Sequence, residues 1–252
     1  MGKIVITFLI IFSALNVCAT EFSGISHYKP EYLERYVKYK EANPELKDFD
    51  IVTYVNIGLD FPVYSENIIR QIEEPDNVLA LCNKYNYLPE DYVPEGYKKT
   101  TRYTFTLRSD AQEQFNKMRA ATAKLGMNLS IASGYRSYGE QKRLYDYYKS
   151  KEPAKADGYS ARPGHSEHQT GLAADINTTL TSARFENARE YKWLIENAHK
   201  YGFILRYPKG KEWITGFKFE PWQWRYVGEQ AATEIKNLDI TLEEYHAIYL
   251  IK

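Results

Sequence analysis

The sequence predicts an α+β fold: a small, mostly antiparallel sheet flanked by helices, with a metal site on the sheet's open face. Three observations carry this expectation. Helical and strand-like stretches follow one another in the order helix, strand, helix, loop, strand, helix, strand, strand, helix, which builds a sheet with helices packed beside it. The helical stretches carry their own start and stop signals. Three polar side chains, Arg136, Asp175 and Glu220, fall at or next to predicted strand ends.

Met1–Ala19 has the build of an export signal, with Lys3 ahead of an apolar run and small residues near Ala19. The run is short for a membrane span. Cleavage after Ala19 gives a chain beginning near Thr20; lipidation at Cys18 and an uncleaved anchor are the alternatives. Residues 20–95 read as an N-terminal accessory region and 96–252 as the core domain. Within the first of these, Glu31 to Asn43 has helical spacing and ends before Pro44. Ile51 to Ile57 reads as a strand followed by a turn. Tyr64 to Val78 is ambiguous, and Asn83 to Tyr97 reads as an extended connector.

The core stretch opens with a helix over Ser109 to Leu125, with Ser109 as its cap, Phe115, Met118, Ala121 and Leu125 on one face, and Gly126 as its stop. Leu129 to Ala132 reads as a buried strand, and Tyr138 to Lys149 as a helix with Leu144, Tyr147 and Tyr148 on its apolar side. Arg136 falls between these two elements, where a side chain projects into a cleft; a guanidinium there forks onto a carboxylate or forms a structural salt bridge. Lys151 to Gly164 is a loop that can wall the cleft. Beyond it, Glu186 to Tyr201 reads as a helix ended by Gly202, and Phe203 to Tyr207 and Trp213 to Phe219 as strands. Helices over Gly228 to Lys236 and Leu242 to Ile248 complete the chain, the second with a Thr241/Glu244 capping box.

Composition narrows the function classes. Lys plus Arg and Asp plus Glu number 33 each, so no net field draws the chain to nucleic acid. The 23 tyrosines pair apolar area with a polar tip, which suits sugar and peptide surfaces. If Cys18 leaves with the signal, Cys82 is the only cysteine, and no internal disulfide forms. It sits in the apolar run Val78-Leu-Ala-Leu-Cys82 and reads as a buried small hydrophobe.

The chemistry concentrates in Ser166-Glu-His-Gln-Thr-Gly-Leu-Ala-Ala-Asp175. Zinc accepts imidazole nitrogen and carboxylate oxygen, and catalytic sites combine three protein ligands with an open position. Gly171 permits a tight turn, the alanines allow close backbone approach, and Asp175 emerges from a short buried strand near His168. The alternative is a surface-loop histidine with a helix-capping aspartate. A second stretch, Glu220-Pro-Trp-Gln-Trp-Arg-Tyr-Val-Gly228, offers a carboxylate that can act as general base to a metal-activated water; the alternative pairs Glu220 with Arg225. His165 is the nearest spare imidazole, while His27, His199 and His246 read as surface or packing residues.

Taken together, Ser166-x-His-x-x-Gly-x-Ala-x-Asp175, Glu220-Pro-Trp-x-x-Arg-Tyr-Val-Gly228 and Ser133-Gly-Tyr-Arg-Ser137 resemble the VanY-type D-alanyl-D-alanine carboxypeptidases. These belong to a zinc peptidase superfamily that includes lysostaphin-type enzymes and the hedgehog domain. The resemblance covers about half the chain and implies zinc ligation by His168 and Asp175, a base at Glu220, and a substrate-contacting arginine at Arg136. Gln141 and Ser166 are its hydrogen-bonding neighbours, and Trp222 holds the loop or lines the pocket. Where the family motif has a third zinc-ligand histidine after Glu-Pro-Trp, this chain has Gln223. Its amide oxygen is a weaker donor to zinc than imidazole nitrogen.

The resemblance therefore implies a zinc carboxypeptidase that removes the terminal D-alanine from peptidoglycan stem peptides; with the export signal, the expectation is a secreted, cell-wall-associated monomer that touches the membrane only through the N-terminal segment if that is uncleaved or lipidated. The alternatives are a wall-peptide binder that does not cut and a wall endopeptidase.

Overall fold

Alternation places the two faces of the central strand. In Ala173–Asn177 the even positions Ala174 and Ile176 are fully buried in the main core, while Ala173 and Asp175 point the other way. Partner strands repeat the pattern. Trp224 is 1% exposed and shares the core with Ala174 and Ile176, whereas Gln223 and Arg225 lie across from Asp175 and Ala173.

These observations come from a computed structural model that describes residues 20–98, 106–177 and 184–250. The export-signal reading of Met1–Ala19 lies outside the described residues. The chain divides into two compact units: residues 1–63 with 243–252, and residues 64–242. The sequence reading set its division between residues 95 and 96.

In the first unit, α1 (Leu33–Ala42) follows a 3-10 turn at Pro30–Tyr32, as the spacing of Glu31 to Asn43 predicted. The predicted strand over Ile51 to Ile57 is instead helix α2 (Asp48–Ile57). Its β-branched residues raise strand propensity, but propensity yields to caps and packing. Asp48 and Asp50 occupy the first turn, and Gly58 ends the helix at φ 101°. Ile51, Val52 and Val55 are fully buried against Phe22 and Tyr36. The polar positions are also used: Thr53 meets His27 Nε2 at 2.8 Å, and Asn56 accepts from Tyr36 and donates to the His27 carbonyl.

The second unit begins with a two-residue parallel pair, β1 (Arg70–Gln71) and β2 (Asn86–Tyr87). Helix α3 (Ser109–Ala123) starts one residue earlier than a Ser109 cap requires: Arg108 is the N-cap, and no side chain caps it. Ending at Ala123, the helix leaves Leu125 outside its buried face and 53% exposed. Strand β3 (Ser130–Ser133) is an edge strand, half-buried rather than buried, with Leu129 just before it in the core.

Helix α4 (Tyr138–Lys151) opens on a complete capping box between Ser137 and Glu140. It buries Gln141 and Tyr145, not Tyr147, which is 57% exposed. Strand β4 (Ala173–Asn177), helix α5 (Arg189–Asn197) with its 3-10 extension to Tyr201, and β5 (Phe203–Leu205) follow.

The strand predicted over Trp213 to Phe219 is absent. A short helix α6 (Glu212–Thr215) stands there instead, since the Glu212 side chain accepts from Gly210 N and Gly216 ends the turn at φ 75°. Strand β6 (Gln223–Tyr226) comes later, inside the motif stretch, and is followed by α7 (Glu229–Leu238) and α8 (Leu242–Tyr249).

The sheet runs β3-β4-β6-β5, antiparallel throughout, which is the predicted α+β arrangement. One face packs on α3 and α5 residues such as Phe115, Met118 and Leu194. The other face carries Ser133, Asp175 and Gln223.

Trp224 fills the centre of the packed face. Its replacement by alanine is expected to cost about 3–5 kcal/mol in urea unfolding; a loss below about 1 kcal/mol contradicts this account of the core.

Candidate active site

Three short segments converge over the polar face. The first is the loop after β3. Gly134 passes so close to the 106 backbone that a Cβ there would lie 2.5 Å from the Thr106 carbonyl oxygen, so only glycine fits. The Gly134 carbonyl then accepts from His168 Nδ1 at 2.7 Å, and Arg136 N donates to the His168 carbonyl at 3.1 Å. The strand-to-helix link and the histidine loop thus hold each other.

The second segment is that loop, a 3-10 turn over Glu167–Thr170 closed by Gly171 at φ 69°. All four of its residues are buried. Glu167 is the residue that sequence reasoning passed over. Its Oε1 accepts from Arg225 Nη1 at 2.7 Å and lies 2.8 Å from Arg206 Nε, with all three side chains fully buried. Arg225 also caps the Val78 and Ala80 carbonyls. Arg225 is therefore Glu167's partner, not Glu220's. The available signal was a carboxylate beside the candidate ligand and a buried-strand arginine in need of a counter-charge.

The third segment is the Glu220-Pro-Trp turn. Glu220 N donates to the Tyr207 carbonyl, and Ile176 N to the Trp222 carbonyl, at 3.2 and 2.8 Å. This fixes the turn beside β4 and sets Glu220 over the sheet.

Together these segments line a cavity of about 180 Å³ that contains Arg136, Gln141, Ser166, His168, Asp175, Glu220, Trp222 and Gln223. Every residue singled out for the site from the sequence is there. Tyr148, Tyr159, Tyr207 and Phe217 add an aromatic wall that the sequence reading did not assign, with Ser160 and Ala161 from the loop expected to flank the cleft. His165 is not brought in. Its Nδ1 bonds the Asn83 carbonyl at 2.7 Å and its ring meets Tyr64 edge-on. Gln141 is not an exposed helix position but 1% exposed, accepting from Arg136 Nη1 at 2.8 Å and donating to the Ala161 carbonyl at 2.7 Å.

The donor set fits a cation. A carbonyl only accepts, so His168 Nδ1 carries the proton towards Gly134, and in the neutral ring Nε2 presents its lone pair. Nε2 faces Asp175 Oδ1 across 3.4 Å, and Oδ1 is buried without a hydrogen-bond partner. Two lone-pair donors in this position suit a positive charge between them. Asp175 and Gln223 are direct register partners on β4 and β6, so both project from the same face. Among the described residues, no group of three His, Cys, Asp or Glu side chains is placed to hold a metal; Gln223, which lines the same cavity, adds a neutral amide beside His168 and Asp175.

Electrostatics distinguish the carboxylates. Burial, then the neighbouring Asp175 charge, pushes the Glu220 carboxyl up to about 8, opposed by Arg136 and by a hydrogen bond with the Trp222 side chain. Arg136 is drawn down by burial and held up by Asp175, whose Oδ2 is 3.9 Å away. Such displaced groups in a cleft mark functional sites. Cys82 is not one of them: it is fully buried, and burial raises its thiol far above the usual range.

Phe217 on the cavity wall is backed by Lys84, whose Nζ lies 4.4 Å from the ring centroid and donates to the Asp157 carbonyl. Burial pulls this ammonium down to about 8. Between there and the usual lysine value the unfolded chain binds more protons, so this group's contribution to stability rises with pH. The stability of Lys84→Met relative to the wild type should therefore fall by up to about 3 kcal/mol from pH 7.5 to 10.5, measured by urea unfolding at each pH. A flat difference contradicts the buried ammonium.

The family model for VanY D-alanyl-D-alanine carboxypeptidases matches residues 104–229. A D-alanyl-D-alanine carboxypeptidase of Enterococcus faecalis is 36% identical over 188 residues, covering 70% of this chain and 68% of the relative. The LdcB LD-carboxypeptidase structure superposes with a TM-score of 0.65 at 40% identity, over 74% of this chain and 94% of that one. A mutant of the vancomycin-resistance D,D-pentapeptidase VanY in complex with Zn(II) superposes with a TM-score of 0.59 at 35% identity, over 67% and 98%. The family match and the shared fold agree, and the chain belongs to the VanY family of D-alanyl-D-alanine carboxypeptidases.

Proposed function

We propose that this chain is a zinc-dependent D-alanyl-D-alanine carboxypeptidase that removes the terminal D-alanine from peptidoglycan stem peptides. The observation that carries this reading is the convergence of His168, Asp175, Glu220 and Arg136 in one cavity, in a chain whose zinc-bound relative shares its fold. His168 Nε2, the Asp175 carboxylate and the Gln223 amide oxygen would hold the cation. When bound, it supplies Lewis-acid polarisation of the scissile carbonyl and acidifies a water near neutral pH.

The remaining work falls to the chain's own groups. Glu220 takes the proton of the attacking water on its carboxylate oxygen and returns it to the leaving amine. Arg136, pinned by Gln141 Oε1 and by Ser133 Oγ at 2.9 Å, holds the peptide's terminal carboxylate. Ser166 adds a polar contact, and Trp222, 43% exposed at the mouth, orients Glu220. The aromatic wall excludes water from the alanyl end. The export signal read over residues 1–19 would place this activity outside the cytoplasm, at the wall, and the enzyme would work as a monomer.

A second reading, a wall-peptide binder that does not cut, is favoured by one observation: the third donor is an amide. One assay separates the two. With zinc at saturation, D-alanine should be released from a peptide ending in D-Ala-D-Ala, and Glu220→Gln should lower kcat by about 10²–10⁴ with little change in KM. Binding without release supports the second reading; neither binding nor release refutes both.

A further inference from the structure

The donor set also determines how tightly the cation is held. We infer that Gln223 makes this a weak, exchangeable zinc site, so that the loaded fraction of the protein follows the zinc around it. The inference depends on the proposed function only for the identity of the cation.

The ligand charge is low. Of the three donors only Asp175 is anionic; His168 and Gln223 are neutral, and an amide oxygen is a poor partner for a borderline-soft ion that prefers nitrogen or thiolate. Among the described residues, no third His, Cys, Asp or Glu joins His168 and Asp175 as a ligand. His165, the nearest spare imidazole, is committed to the Asn83 carbonyl at 2.7 Å and stacked edge-on against Tyr64. Gln223 is fixed in place by its register pairing with Asp175.

The surroundings also oppose a dication. Arg136 brings a guanidinium to 3.9 Å from Asp175 Oδ2, already partly satisfying the one anionic ligand. Geometry retains the ligand positions while charge and donor type reduce the grip.

The test uses the full chain and zinc alone. Purified protein is dialysed against metal-free buffer, its zinc content is measured by elemental analysis, and its zinc Kd is measured by competition with a chromophoric chelator. Gln223→His and Gln223→Glu are measured alongside, the second being nearly isosteric and anionic. The wild type should keep less than half an equivalent, and at least one variant should bind zinc tenfold or more tighter, since even outer-shell changes move metal affinity by about 10–100-fold. A full equivalent retained by the wild type, or a gain below tenfold in both folded variants, overturns the inference. If neither variant folds, the wild-type zinc content decides. Tight zinc in the wild type would leave the carboxypeptidase reading intact, whereas absence of D-alanine release at saturating zinc would refute that reading and leave the affinity result standing.

Discussion

The register of β4 on β6 is the constraint on which the rest depends. Pairing Asp175 with Gln223, Ala174 with Trp224 and Ala173 with Arg225 sorts each strand into a face for the core and a face for the site. A slip of one residue would turn Trp224 towards the cavity and Asp175 into the apolar layer. The apolar face is what prevents that slip: Trp224, Ile176 and Phe203 bury together with α3 and α5 residues, and exposing them would cost several kcal/mol. Chemistry on one side of the sheet is held in place by packing on the other.

The polar side needs its own support, because its groups are removed from water. A carboxylate shared by two buried arginines costs heavy desolvation and is repaid only with good geometry and additional hydrogen bonds. Here the geometry supplies both. Glu167 joins the histidine loop to β6 and to the end of β5, and Arg225 reaches on to the Val78 and Ala80 carbonyls. The result is a rigid frame around His168, whose ring is further fixed by Gly134. Arg136 and Glu220 are partly dehydrated in the same space, and their displaced proton affinities follow from that burial, with the Asp175 charge adding to the shift at Glu220 and opposing it at Arg136.

Much of this was readable from the chain alone where local signals and tertiary demands agreed. The turn at Gly171 into Ala173–Asn177, the helix that ends before Pro44 and the stop at Gly202 all name their own conformations. Reading failed where composition and context diverged. Ile51 to Ile57 has the β-branched content of a strand but the acidic start, glycine stop and all-round burial of a helix. Trp213 to Phe219 is aromatic enough for a strand, yet the Gly210 and Gly216 turns break it into a short helix and move the strand to Gln223–Tyr226. Glu167 escaped notice because its partners lie 39 and 58 positions away, a distance that no local pattern spans.

In the proposed site one imidazole, one carboxylate and one amide share a cation on the polar face of this sheet. Anomalous diffraction at the zinc edge from zinc-soaked crystals tests it most directly. A single strong peak is expected, bounded by His168 Nε2, the Asp175 carboxylate and the Gln223 side-chain oxygen. A peak ligated elsewhere, or no peak in the cavity at saturating zinc, would contradict it.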